Sequence, residues 1–88
     1  MSVEDTIRSA LREYGGLAGD VAAIGTNDDL YRLGLTSHAS VNLMLALEDE
    51  LGVEFTDSML RRDTFETIEA LHKALAELGV GVDAGAGD

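Results

Sequence analysis

The stretch LGLTSHASVNLMLALEDELGVEF, residues 33–55, decides how this chain folds. From Ser37 to Leu51 apolar residues recur at helical spacing. Val41, Met44, Leu45, Leu47 and Leu51 form a wide stripe, and Gly52 stands where a left-handed residue closes a helix. A Thr-Ser pair opens the run. Both residue types suit a helix start, because a side-chain oxygen there accepts an orphan backbone N–H, a cap worth about 1 kcal/mol. One hydroxyl is enough. The local pattern alone favours Ser37 as the cap, although Thr36 could do that job and leave Ser37 free. A free hydroxyl at a helix tip is accessible, and a phosphodiester attached there would face the positive end of the helix dipole.

Working outward, a first helix is expected over residues 3–14, where Val3, Ile7, Ala10, Leu11 and Tyr14 keep helical spacing. Ser2 can cap its start and Gly15-Gly16 stop it. A long connection follows over 15–36. Connections of that length are uncommon unless ordered or functional, and Ile24, Leu30, Tyr31, Leu33 and Leu35 suggest one pinned to the core, with a helical turn at NDDLYRLG. After the central helix, VEF at 53–55 is too short for a sheet, and Asp57 can cap a brief turn through Ser58 to Arg62. The last helix is expected from about Phe65 to Leu78, with Ile68, Leu71, Leu75 and Leu78 on one face, Thr64 before it and Gly79 after it. The fold class is therefore all-α: three main helices plus one short helix, with a long loop between the first and second. A single domain is expected over residues 1–79, with a Gly-rich flexible tail over 80–88.

The balance of 17 acids against 6 bases gives a formal charge of −11. That charge opposes phosphate backbones and anionic bilayers, so neither nucleic acid nor membrane is expected as a partner. No apolar run approaches a membrane span, and MSVEDTIRSALREYGG lacks the basic start and apolar core of a secretory signal. A cytoplasmic monomer is expected. Cysteine is absent, which removes disulfides, thiolate metal sites and thiol nucleophiles.

Catalysis by the chain itself finds little support. A nucleophile needs a base within hydrogen-bond reach and a group to orient that base. Ser37 and His38 are adjacent, and helix neighbours project in different directions; His72 suits the edge of the last apolar stripe. The acids EDE at 48–50 lack the alternating ligands and central glycine of a Ca²⁺ loop. Neither a catalytic residue nor a metal ligand is assigned.

Residues 30–71 resemble the acyl and peptidyl carrier proteins. Tyr31, Leu33-Gly34, Ser37, Val41, Leu43, Ala46-Leu47-Glu48, Phe55 and Asp57 occupy the places of that family's ordered pattern without a gap, and TFETIEAL at 64–71 is similar to the start of its final helix. The resemblance implies an acyl-carrier-protein-like bundle in which Ser37 is the attachment point for 4'-phosphopantetheine, donated by coenzyme A through a separate phosphopantetheinyl transferase. It also accounts for the missing cysteine and base: the working thiol arrives on the arm, and the transferase brings the base. Two positions depart from the pattern. Thr36 replaces an acid before the serine and His38 an apolar residue after it, and both flank the hydroxyl where the modifying enzyme grips.

Within the family, GLTSHASVNLMLALED is most similar to small free-standing carriers of amino acids. That implies loading by a seryl-tRNA synthetase-like amino acid:carrier protein ligase, thioester carriage of an aminoacyl or acyl group, and delivery to a downstream acceptor enzyme. Residues 36–47 contain no acid, so partner contact is expected to be mostly neutral, through Val41, Asn42 and Met44, with charge displaced to Arg61 and Arg62. Leu47, Phe55 and Ile68 are inner-face neighbours and plain core. The alternative from another class is an unmodified acidic helical interaction module with a degenerate carrier fold.

Overall fold

Ser2 begins the chain's first helix with a reciprocal cap. In the computed structural model, which describes residues 2–17 and 19–80, the Asp5 N–H donates to Ser2 Oγ (3.1 Å) and the Ser2 N–H to Asp5 Oδ2 (3.4 Å). Helix α1 spans Val3–Tyr14, α2 Ser37–Leu51 and α3 Ile68–Glu77. Gly52 adopts φ 66°, the left-handed conformation expected of it, and donates to the Glu48 carbonyl (2.9 Å). Helix α1 packs against both α2 and α3. Ile7 and Leu11 meet Leu43 and Leu47 of α2 and Ile68, Leu71 and Leu75 of α3 in one fully buried cluster.

The long connection contributes to that cluster instead of skirting it. Leu30 is fully buried, and Ile24 and Leu35 nearly so. A 3-10 turn over Val21–Ala23 is held from beneath by Arg8, whose guanidinium donates to the Val21 and Ile24 carbonyls, both at 2.8 Å. Farther along, the Leu30 N–H donates to the Glu66 carbonyl (2.7 Å), and the Glu69 N–H to the Thr26 carbonyl (3.0 Å). These cross-chain bonds anchor the loop to the start of α3.

They also explain why α3 begins at Ile68, with Thr67 as its cap, and not near Phe65 after Thr64. A helix through 66 would send the Ala70 N–H to the Glu66 carbonyl. Instead Ala70 donates to Thr67 Oγ1 (2.9 Å), and Leu30 takes that carbonyl. Phe65 turns inward to stack on Phe55, with ring centroids 5.9 Å apart. The short fourth helix takes the form of two 3-10 turns, Asp57–Met59 and Arg62–Phe65. Asp57 lies inside the first turn and does not cap it.

On α2 the expected stripe divides. Leu47 belongs to the core beside Leu43, whereas Val41 and Leu45 are about half exposed (51% and 52%) on another side of the helix. Leu47, Phe55 and Ile68 are core, as expected. His72 is exposed on α3, one turn after the buried Ile68. Val80, the first residue of the expected tail, packs against the core and donates to the Leu75 carbonyl (2.9 Å). The rest of the expected tail, 81–88, lies outside the described residues.

Candidate functional site

The two hydroxyls at the start of α2 do different jobs. Thr36 is the cap: its backbone is extended (φ −102°, ψ 166°), and Thr36 Oγ1 accepts the Ala39 N–H at 3.0 Å. Ser37 is the first residue of the helix, exposed, and its hydroxyl has no hydrogen-bond partner among the described residues. One turn in, the Ser40 hydroxyl donates to the Ser37 carbonyl (2.7 Å) and is buried. Of the serines beside the helix tip, Ser37 alone offers an uncommitted oxygen to solvent.

Ser37 stands at the margin of a cleft of about 350 Å³ between α2 and the 3-10 turns. The α2 wall is Ser40, Val41 and Met44; the opposite wall is Leu60, Arg61, Arg62 and Phe65, with Tyr31 of the long connection completing it. Leu60 is half exposed (49%), whereas its neighbour Met59 packs against the core.

Tyr31 and Arg62 are joined at two points. The phenol donates to the Arg62 carbonyl (3.2 Å), and the guanidinium carbon lies 3.9 Å from the ring centroid. Burial pushes the Tyr31 phenol above its ordinary value of 10.0, while the Arg62 charge and the neighbouring Ser40 hydroxyl offset part of that rise. Arg61 instead forms an exposed ion pair, Nε to Asp63 Oδ1 at 3.3 Å.

The structure thus gathers Ser37, Val41, Met44, Arg61 and Arg62 around one cleft. Thr36 is committed to capping, His38 is exposed beside Ser37, and Asn42 is half-buried on α2; none of these three lines it. Sequence reasoning missed Leu60 and Phe65 as walls. Leu60 carried a signal, standing with Met59 as one of two large apolar residues in DSMLRRD. Phe65 did not, because its place depends on stacking with Phe55.

Among the described residues no cluster of His, Cys, Asp or Glu could hold a metal, and no helix is long and apolar enough to cross a membrane.

Residues 5–75 match the family described as phosphopantetheine attachment site. An aminoacyl carrier protein of Agrobacterium fabrum is 44% identical over 66 residues, which are 75% of this chain and 80% of that protein. A carrier protein from Agrobacterium tumefaciens, solved with AMP and an engineered Bradyrhizobium japonicum glycine:[carrier protein] ligase, is 39% identical. It superposes with a TM-score of 0.81 over 84% of this chain and 99% of its own. A glycylated carrier protein in complex with the Bradyrhizobium japonicum ligase is 28% identical, with a TM-score of 0.62 over 82% of this chain and 92% of its own. The family's 4'-phosphopantetheine fits the site chemically: an exposed, unpartnered hydroxyl on a rigid helix tip is the group a phosphodiester requires. With an all-α carrier bundle built around such a hydroxyl and a family match across most of its length, this chain belongs to the phosphopantetheine-bearing carrier proteins, which carry acyl groups for other enzymes and are not themselves catalysts.

Proposed function

We propose that Ser37 bears the phosphopantetheine arm and that the chain carries an aminoacyl group supplied by a separate adenylate-forming, seryl-tRNA synthetase-like ligase. The observation that carries this reading is the division of labour at the head of α2: Thr36 accepts the capping N–H, and Ser37 Oγ stays exposed and unpartnered. Ser37 Oγ bonds to the pantetheine-bearing phosphorus of coenzyme A as the pyrophosphate P–O bond breaks and adenosine 3',5'-bisphosphate leaves; the serine proton goes to a base on the phosphopantetheinyl transferase, since no described side chain hydrogen-bonds this hydroxyl. Thr36 and His38 flank that oxygen on the surface the transferase meets. Once attached, the arm supplies the thiol that holds cargo as a thioester and brings it into partner active sites at high effective concentration.

The aminoacyl cargo is supported by the 44% identical aminoacyl carrier protein and by the glycylated carrier among the structural matches. The ligase as loading partner is supported by the two complexes in which similar carriers were solved. Val41 and Met44 offer that partner a neutral contact beside Ser37, with Asn42 next to them on α2 and Arg61 and Arg62 across the cleft. A downstream acceptor enzyme then takes the cargo, and the exchange is assigned to the cytoplasm, with the carrier acting as a monomer.

Loading assays on the holo-protein test this. A glycine- or alanine-activating ligase is expected to charge it faster than an acyl-carrier synthetase charges it with long fatty acids. Efficient loading with long fatty acids alone would overturn the aminoacyl assignment.

A further inference from the structure

The chain is rich in acids, yet one arginine beside the attachment site meets none of the described ones within ion-pair distance. Arg61 is engaged with Asp63, and Arg8 with Glu4 (3.0 Å). Arg62 lines the same cleft as Ser37, and no described group accepts a hydrogen bond from its guanidinium. It is nonetheless held in place. The ring of Tyr31 lies beneath it, and the Tyr31 phenol bonds its carbonyl, so both ends of the residue are tied to one side chain. Stacking on an aromatic face leaves the guanidinium's edge free to donate. That edge forms a planar fork whose geometry matches two oxygens of a phosphate.

We infer that Arg62 is the internal counter-ion of the phosphodiester joined to Ser37, steadying the base of the arm against the wall that Tyr31 forms. The inference rests on the proposed attachment at Ser37. The chemistry is selective for Arg62 over Arg61. Arg61 has an acid of its own and lacks the aromatic support, so an anion at Ser37 would have to compete with Asp63 for it. Lysine at position 62 would keep the charge but lose the fork and most of the stacking, which separates a specific contact from a general electrostatic field.

The test compares apo- and holo-protein by NMR, the holo form made with coenzyme A and a phosphopantetheinyl transferase. Intact mass and peptide fragmentation first establish where the arm sits. On attachment the Arg62 Nε–Hε signal is expected to move downfield and its exchange with water to slow by roughly two- to fivefold, the range of an exposed charge pair. Arg61 should change little. The ³¹P signal is expected to shift in Arg62→Ala toward its position in the urea-unfolded holo-chain, to shift less in Arg62→Lys, and to stay put in Arg61→Ala. Backbone amide spectra of each variant report that the fold is retained. An arm on Ser37 with Arg62 unmoved, or with Arg61 and Arg62 moving alike, overturns this inference alone. A response of Arg62 only when ligase is added also overturns it, by assigning the residue to the partner. An arm on another serine overturns the inference and the proposed function together.

Discussion

The Tyr31 phenol donates to the Arg62 carbonyl at 3.2 Å while the Arg62 guanidinium stacks on the same ring, 3.9 Å from its centroid. This double contact fastens the long connection to the 3-10 turn that walls the cleft. Removing only the phenolic oxygen in Tyr31→Phe is expected to cost about 0.5–1 kcal/mol, since the bond is exposed and water can replace it. The titration adds a signature. Burial raises the phenol above 10.0 in the folded chain, so the folded state holds that proton more tightly than the unfolded one. Its contribution is complete below the unfolded value and falls as pH rises from there through the folded value. Urea denaturation at about pH 8 and about pH 11 should show a steeper alkaline loss in the wild type than in Tyr31→Phe.

The two hydroxyls at the head of α2 should separate in stability. Thr36→Ala removes the acceptor of the Ala39 N–H and is expected to cost about 1 kcal/mol, whereas Ser37→Ala should stay within about 0.5 kcal/mol of the wild type. Thermal denaturation of the two variants in parallel checks this. Equal losses would mean that the capping assignment is wrong.

Arg8 should matter more than a surface arginine. Two loop carbonyls, of Val21 and Ile24, depend on its guanidinium, and its side chain is only 17% exposed. Arg8→Ala is expected to destabilise by about 1–2 kcal/mol, and Arg8→Lys to recover part of it, because one ammonium must replace both the Nη1 bonds to the carbonyls and the Nε bond to Glu4. Hydrogen exchange should rise first in the amides of residues 22–25, before those of α2.

The central helix was legible because its signals lie within it: Thr36 before, Gly52 after, and a helical period between. The buried row was harder to identify. Leu43 and Leu47 face the core, but Val41 and Leu45 are equally apolar and face outward, and periodicity cannot tell two apolar sides apart. The start of α3 was misplaced by a similar limit. Thr64 and Thr67 are both good caps, and the choice between them is made by Leu30, which claims the Glu66 carbonyl from far along the chain. Ser37 stood out through an ordered local pattern. The pairing of Tyr31 with Arg62 did not, because no local pattern encodes a contact between two distant loops.

Partner recognition should divide by chemistry across the cleft. Val41 is half exposed, so Val41→Asp should leave the melting temperature nearly unchanged while lowering kcat/KM for ligase loading by about tenfold, as a contact worth about 1.4 kcal/mol requires. Arg61→Ala should weaken loading less and flatten its dependence on salt. Glu48 is unsuited as an acidic control, because its carboxylate accepts the Phe55 N–H at 2.8 Å; the exposed Glu50 serves instead. Loading unchanged in Val41→Asp and Arg61→Ala but strongly reduced in Glu50→Ala would place the grip on the acidic end of α2.

Attachment at Ser37 is most directly tested by intact mass after co-expression with a promiscuous phosphopantetheinyl transferase. The wild type is expected to gain one phosphopantetheine and Ser37→Ala none, with peptide fragmentation placing the group on Ser37. Ser40 should not substitute, because its hydroxyl is buried and bonded to the Ser37 carbonyl. A folded wild type that gains no mass under conditions that modify a control carrier, or a Ser37→Ala protein that is still modified, would contradict the assignment.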